Sequence, residues 1–76
     1  MAPGGSVRAA TADGAAGVRV RGRRREVGLT QQELAARVDV SRQTIVSMET
    51  GDYAPSVYLA IKVARALDTL VEDLWG

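Results

Sequence analysis

Three side chains that can recognise the edges of nucleic-acid bases stand close together in the middle of the chain. They are Arg42, Gln43 and Ser47. A guanidinium can form two hydrogen bonds with guanine, and a carboxamide can do the same with adenine. Because the three residues occupy positions 1, 2 and 6 of a predicted helix, they share its exposed N-terminal face. Base recognition is one interpretation of this face, and a solvated helix surface is the other.

The composition excludes most other chemistry. The 76 residues include no histidine and no cysteine, which removes the commonest general base, thiol nucleophiles, disulfides and the usual zinc ligands. The acidic residues have no spacing typical of a metal or acid–base site, and no Gly-rich phosphate loop is present. No apolar run approaches the ~18 residues that a membrane span needs. We therefore expect no enzyme, metal, cofactor, small-molecule ligand or membrane association.

Charge is distributed unevenly along the chain, whose formal net charge is +1. Residues 18–50 contain seven arginines and four acidic residues, a net charge of +3, whereas residues 51–76 have a net charge of −2. Such asymmetry is expected when one face of a protein meets a polyanion. An arginine-rich helix exposed to solvent is the alternative.

Helix start and stop signals define the first three elements. A first helix is predicted at 18–27. Thr30 and Glu33 have the spacing of a capping box, which opens a second helix. Ser41 is the predicted N-cap of a third helix, and Gly51 is its left-handed C-terminal residue.

Two further helices are predicted, preceded at the other end of the chain by a tail. Ser56 caps the fourth helix, and Thr69 and Glu72 have the spacing of a second capping box, which opens a short last helix. Residues 1–17 contain six alanines and four glycines, and too few apolar side chains to offset the entropy of ordering them. We therefore expect a disordered tail at 1–17 and one folded domain at 18–76.

The segment 31–50, QQELAARVDVSRQTIVSMET, predicts a helix-turn-helix. Ala35 is small enough to let the two helices approach closely. Asp39 lies at the corner, where a positive φ is expected and where Asp is tolerated better than most residues. In a helix-turn-helix the second helix lies in the DNA major groove.

The stretch GLTQQELAARVDVSRQTIVSMETGDYAPSVYLAIKVARAL resembles the Cro/cI (Xre) family of prokaryotic regulators, especially its short stand-alone members of the dimeric cytolysin-repressor type. The resemblance covers roughly residues 18–75. It implies an all-α, compact, five-helix domain of the lambda-repressor type. It also implies a cytoplasmic, nucleoid-associated homodimer that represses or activates transcription from a double-stranded DNA operator.

The resemblance assigns roles to individual residues. Arg42, Gln43 and Ser47 match the base-reading positions, and Gln31 matches a residue that contacts the DNA backbone. Arg24 and Glu49 match a pair that locks the first helix to the third. Secondary DNA contacts, each with a purely structural alternative, are predicted for Ser41, Thr44, Val46 and Tyr53. Two positions depart from the family pattern: Asp39 replaces the usual Gly, and Arg23 replaces an aliphatic residue.

Near the end of the chain, an apolar cluster has two interpretations. It could close the core of the domain, or it could meet a second copy at a two-fold axis, where aromatic residues are enriched. The second interpretation is favoured because a domain of about 60 residues has a marginal core. The predicted interface residues are Leu70, Val71, Leu74 and Trp75.

Two rival functions are compatible with the same fold. The chain could be the antitoxin of a toxin–antitoxin pair that regulates its own synthesis through this domain. It could also be a protein-interaction module with no role on DNA. Co-purification with an unrelated small protein would favour the first rival, and absence of DNA binding at low salt would favour the second.

Overall fold

Five helices make up the protein in a computed structural model that describes the backbone of residues 2–76 and the side chains of residues 14–76. The prediction of an all-α, five-helix fold is confirmed, and no strand occurs in the described backbone. The helices are α1 (Ala2–Val27), α2 (Gln31–Val38), α3 (Arg42–Thr50), α4 (Val57–Ala66) and α5 (Val71–Trp75).

The packed domain begins earlier than the sequence predicts. Ala16, expected in the tail, is buried in the domain, and Gly17 packs against α3. A Cβ added at Gly17 would lie 2.7 Å from the Met48 carbonyl oxygen and closer still to that of Glu49. Only glycine allows α1 to approach the α3 backbone so closely. The rest of the expected tail, residues 1–13, lies outside the residues whose side chains are described.

The start of α2 is fixed by the predicted capping box. The Thr30 hydroxyl accepts a hydrogen bond from the Glu33 amide at 3.0 Å, and the Glu33 carboxylate accepts one from the Thr30 amide at 2.8 Å. The backbone hydrogen bond to Thr30 is the largest cause of a lowered Glu33 pKa, and the Thr30 hydroxyl and Arg37 act in the same direction. Two donors at the helix start are thereby satisfied.

The corner between α2 and α3 has the predicted left-handed residue. Asp39 has φ 60° and ψ 48°, and the amide of Val40 donates to the Ala35 carbonyl at 3.0 Å. Ser41 then caps α3 by accepting from the Thr44 amide at 3.2 Å, and Gly51 ends it with φ 86°. These local bonds set the angle between the two helices, as expected from the sequence.

The predicted capping box of the last helix is wrong by one residue. Asp68 adopts a positive φ of 54°, and the chain enters α5 from an extended Leu70. The carboxylate of Asp73, instead of Glu72, accepts hydrogen bonds from the Leu70 amide at 3.3 Å and from the Thr69 hydroxyl at 2.9 Å. Asp68 is the left-handed residue after α4, and α5 begins one residue later than the Thr69–Glu72 spacing predicts. The spacing of residue types does not show where such a left-handed residue lies.

All five helices contribute to one apolar core. The face of α4 that the sequence predicts to be buried, which includes Leu59 and Val63, packs against α2 and α5. Burying aliphatic side chains is the main stabilising contribution, about 1.5–3 kcal/mol for each one fully buried. The large side chains of this core that are almost completely inaccessible are Val20, Leu34, Val38, Ile45, Met48, Val63, Leu67 and Leu74.

The predicted interface residues at the end of the chain are not equivalent. Leu74 is 2% exposed and belongs to the core of its own domain, so its assignment to a dimer interface is corrected. Val71 and Trp75 are half-buried against the same core. Leu70, at 62% exposure, is the member of the set that lies open to solvent.

Arg23, at a position where the resemblance implies an aliphatic residue, forms hydrogen bonds across the domain. Its Nε donates to the Leu67 carbonyl at 2.9 Å, and its Nη2 donates to the Asp68 carbonyl at 3.1 Å. These carbonyls follow the end of α4, where helix geometry leaves acceptors without intrahelical donors. The side chain therefore joins α1 to the end of α4.

Candidate nucleic-acid interface

The outward face of α3 carries the side chains that the sequence singles out for base recognition. Arg42 and Gln43 are exposed and Ser47 is half-buried, whereas Ile45 and Met48 of the same helix point into the core. The Gln43 carboxamide donates to the Ser47 hydroxyl at 3.3 Å. The helix thus presents a guanidinium, a carboxamide and a hydroxyl together, a set of groups that can bond base edges.

The remaining predicted contacts surround this face. Thr44 and Val46 are half-buried on α3, and Ser41 is exposed at its start, with its hydroxyl 3.0 Å from that of Thr44. Tyr53 is exposed in the loop between α3 and α4. Ser41 is therefore occupied as a helix cap, while the Tyr53 side chain lies partly open to solvent.

A buried ion pair fixes the inner side of α3. The Nε of Arg24 lies 2.6 Å from Oε2 of Glu49, and its Nη2 lies 3.1 Å from Oε1. The third guanidinium nitrogen donates to the Leu29 carbonyl at 2.8 Å. Both side chains are more than nine-tenths buried. Because the carboxylate is held at two points, the pair ties α1 and the chain before α2 to the last turn of α3.

Gln31 connects this buried pair to the outward face. Its Nε2 donates to Oε1 of Glu49 at 3.2 Å, and its Oε1 accepts from Nη2 of Arg42 at 3.4 Å. A continuous chain of polar contacts therefore runs from Arg24 through Glu49 and Gln31 to Arg42. The sequence does not reveal this link, because Gln31 and Arg42 stand at the first positions of two separate helices and nothing in the pattern gives the distance between them.

An open groove lies beside α3, with a volume of about 450 Å³. Two arginines of α1 that the sequence ties to no individual phosphate, Arg21 and Arg25, line it. Arg21 and Arg25 are four residues apart, and this spacing was the signal in the sequence that could have placed both on one face of the helix. The other residues around the groove are Arg24, Thr30, Gln31, Val46, Glu49 and Thr50.

Neither a metal site nor a membrane-spanning helix is found among the described residues. They contain no group of histidine, cysteine or acidic side chains arranged to hold a metal ion. No helix within the described part of the chain is long and apolar enough to cross a membrane.

Comparison with known proteins identifies the family. The sequence pattern of the helix-turn-helix family matches residues 20–74. The chain belongs to the helix-turn-helix family of Cro/cI (Xre) type. It is a helix-turn-helix transcriptional regulator with a DNA-binding domain, as the resemblance implies.

Relatives of this helix-turn-helix protein occur in archaea. An uncharacterized HTH-type transcriptional regulator of Methanothermobacter thermautotrophicus is 58% identical over 57 residues, which are 74% of this chain and 83% of the relative. A second one, from Archaeoglobus fulgidus, is 49% identical over 57 residues, or 75% of this chain and 81% of the relative. Both relatives are named as transcriptional regulators. Nothing in these comparisons supports the antitoxin alternative.

Two solved structures share the fold of this regulator. The restriction-modification controller protein C.AhdI from Aeromonas hydrophila superposes with a TM-score of 0.80 and 29% identity, over 86% of this chain and 94% of that one. The clp gene regulator ClgR from Corynebacterium glutamicum also gives a TM-score of 0.80, with 32% identity, over 83% of this chain and 67% of that one.

Proposed function

We propose that this regulator binds a two-fold symmetric DNA operator as a homodimer, with α3 of each protomer in the major groove. The observation that carries the proposal is the outward-facing row of exposed Arg42 and Gln43 and half-buried Ser47, presented by a helix whose opposite face is anchored in the core. Two such helices read half-sites one helical turn, about 34 Å, apart. Because the proposed ligand is operator DNA, we expect the protein to act on the chromosome in the cytoplasm.

In this proposal, specificity comes from the first turn of α3. Arg42 bonds a guanine and Gln43 bonds an adenine, each in two-pronged fashion, and Ser47 contacts a neighbouring base. The bond from Arg42 to Gln31 restricts the guanidinium before DNA is bound, which reduces the entropy lost on binding. Thr44 and Val46 adjoin the same bases, with Val46 able to touch a thymine methyl group.

Phosphate contacts position the protein without reading sequence. Ser41 and Tyr53 flank α3 at its two ends, and Gln31 begins α2, where helix geometry leaves amide donors free. These three residues are the proposed backbone contacts of the helix-turn-helix itself. Affinity is therefore expected to fall as salt concentration rises.

Selection of bound sequences from random duplex DNA tests the proposal. The wild-type protein should select a palindrome with half-sites one turn apart. Gln43→Ala should lose about 1–3 kcal/mol of binding free energy on that sequence and relax one base position in each half. Gln32→Ala is the matched control, since Gln32 is exposed on α2 and not on α3. Unchanged base preference in Gln43→Ala would contradict the assignment.

A further inference from the structure

The four arginines at positions 19, 21, 23 and 25 of α1 point to two different sides of the molecule. Arg19 donates to the Leu74 carbonyl at 3.2 Å, and Arg23 donates to the carbonyls after α4, so both serve the packing of the last two helices. Arg21 and Arg25 instead line the groove beside α3. Residues four apart lie above one another on a helix, so these two guanidinium groups emerge from one face.

The groove carries excess positive charge. Arg24 also lines it, but the Arg24 charge is balanced by Glu49 at 2.6 Å. Arg21 and Arg25 are exposed and form no ion pair with the acidic side chains of residues 14–76. Two positive charges therefore face this groove without a carboxylate of the described domain to neutralise them, which favours an anion there.

The position of the groove indicates which anion. Its walls include Val46 and Thr50, which lie on α3 close to Gln43 and Ser47 in the proposed base-reading row. The start of α2 forms another wall, and its dipole favours negative charge. When α3 lies in the major groove of a duplex, the sugar–phosphate backbone runs along the two edges of that major groove. One of these edges would then pass next to the protein groove lined by Arg21 and Arg25.

We infer that Arg21 and Arg25 bind phosphates of the DNA backbone beside each half-site, an inference that rests on the proposed function. The Gln31 side chain, expected to contact the backbone, bonds Glu49 and Arg42. Gln31 is uncharged, so the positive charge that attracts phosphates on this side of α3 comes from Arg21 and Arg25. The ligand is a phosphodiester, and the same groups could also bind a free phosphate ion.

The salt dependence of operator binding tests the inference. Each neutralised phosphate contributes about 0.9 to the magnitude of the slope of log K against log salt concentration. The proposed homodimer loses four such contacts per operator, so Arg21→Ala/Arg25→Ala should lower that magnitude by about 3.6. Between 50 and 200 mM salt, wild-type affinity should then fall about 150-fold more than that of the variant. The selected base sequence should not change, because phosphate contacts carry no base information.

Arg37→Ala/Arg65→Ala is the charge-matched control. Both residues are exposed and line a separate groove formed by α2 and α4. This double variant removes the same net charge and should keep the wild-type slope. An equal fall of the slope in both variants would show a long-range field in place of direct contacts and overturn the inference. An unchanged slope in Arg21→Ala/Arg25→Ala would also overturn it. In either case a palindrome selected by the wild type would leave the proposed function standing.

Methylphosphonate substitution separates the DNA backbone from a free anion. Neutralising single phosphates beside the half-site should weaken wild-type binding and leave Arg21→Ala/Arg25→Ala unaffected. If no position shows this coupling, while inorganic phosphate alone perturbs the NMR signals of the two guanidinium groups, the groove binds a free anion and the inference is wrong. Thermal unfolding of each variant checks that the domain remains folded.

Discussion

The buried carboxylate of Glu49 bonds side chains from two other helices. Arg24 of α1 and Gln31 of α2 both donate to it, and Gln31 reaches on to Arg42. A buried charge without its partner is costly, whereas a pair in good geometry offsets much of its desolvation. The pair therefore specifies how α1 and α3 sit together as much as it stabilises them.

Removing one member of this pair should destabilise the domain strongly. Arg24→Met leaves the Glu49 carboxylate buried and unpaired, and the free energy of unfolding should fall by about 3–5 kcal/mol. Arg24→Met/Glu49→Leu removes both charges and should cost less than Arg24→Met alone. Urea unfolding of the variants measures the coupling. Additive losses would contradict the role given to the pair.

The close approach of α1 to α3 makes a second prediction at the residue scale. Gly17→Ala places a methyl group against the carbonyls of Met48 and Glu49, and such overpacking typically costs about 1–3 kcal/mol. Gly22→Ala is the matched control, since a Cβ there meets nothing within 4 Å. It should stabilise the exposed helix by up to about 1 kcal/mol. Equal stability of the two variants in urea would disprove the packing argument.

At the scale of the element, α2 depends on the charge of one carboxylate. Hydrogen bonds from Thr30 lower the pKa of Glu33 below its ordinary value of 4.5. A lowered pKa in the folded state means that the ionised form stabilises the fold. The contribution is complete above about pH 4.5 and is lost as the pH falls through the lowered value.

Glu33→Gln should therefore reduce stability at pH 7 and have progressively less effect as the pH falls below 4.5. Thermal midpoints of both proteins between pH 7 and pH 2.5 test this. Glu72→Gln is the control, since its exposed side chain accepts no hydrogen bond in the described part of the chain. A difference between wild type and Glu33→Gln that persists at the lowest pH would show that the Glu33 carboxylate does not act through its charge.

At the scale of the whole molecule, the dimer proposed above needs a surface that the domain core leaves free. Leu74 is used inside the domain, and Leu70 stays exposed beside the half-buried Val71 and Trp75. Aspartate at an interface is strongly disfavoured, because its charge loses water without gaining a partner. Leu70 is thus the position at which dimerisation can be disturbed without emptying the core.

Leu70→Asp should lower the mass observed by sedimentation to that of one chain while the helical signal is kept. Leu74→Ala should instead destabilise the fold by about 2–5 kcal/mol through a core cavity. Val57→Asp is the control, because Val57 is exposed on another helix, α4. Dissociation caused by Val57→Asp and not by Leu70→Asp would place the two-fold axis at the start of α4 and refute the predicted interface.

Local features of the fold could be predicted from the sequence because they depend on residues close together in the chain. Thr30 and Glu33 are three residues apart, and the Asp39 amide donates to carbonyls no more than four residues away. The second helix, its corner and the start of the third helix were therefore expected, and they are observed. The outward position of Arg42 and Gln43 follows from the same helix register.

Tertiary structure decided what depends on residues far apart in the sequence. The four arginines at 19, 21, 23 and 25 share one helix and one chemistry, yet two bond carbonyls about 44 to 55 residues away and two face the groove beside α3. The burial of Ala16 and Leu74 also depends on helices distant in sequence. Helix periodicity determines which side chains share a face, but only the packing of the other helices determines what each face meets.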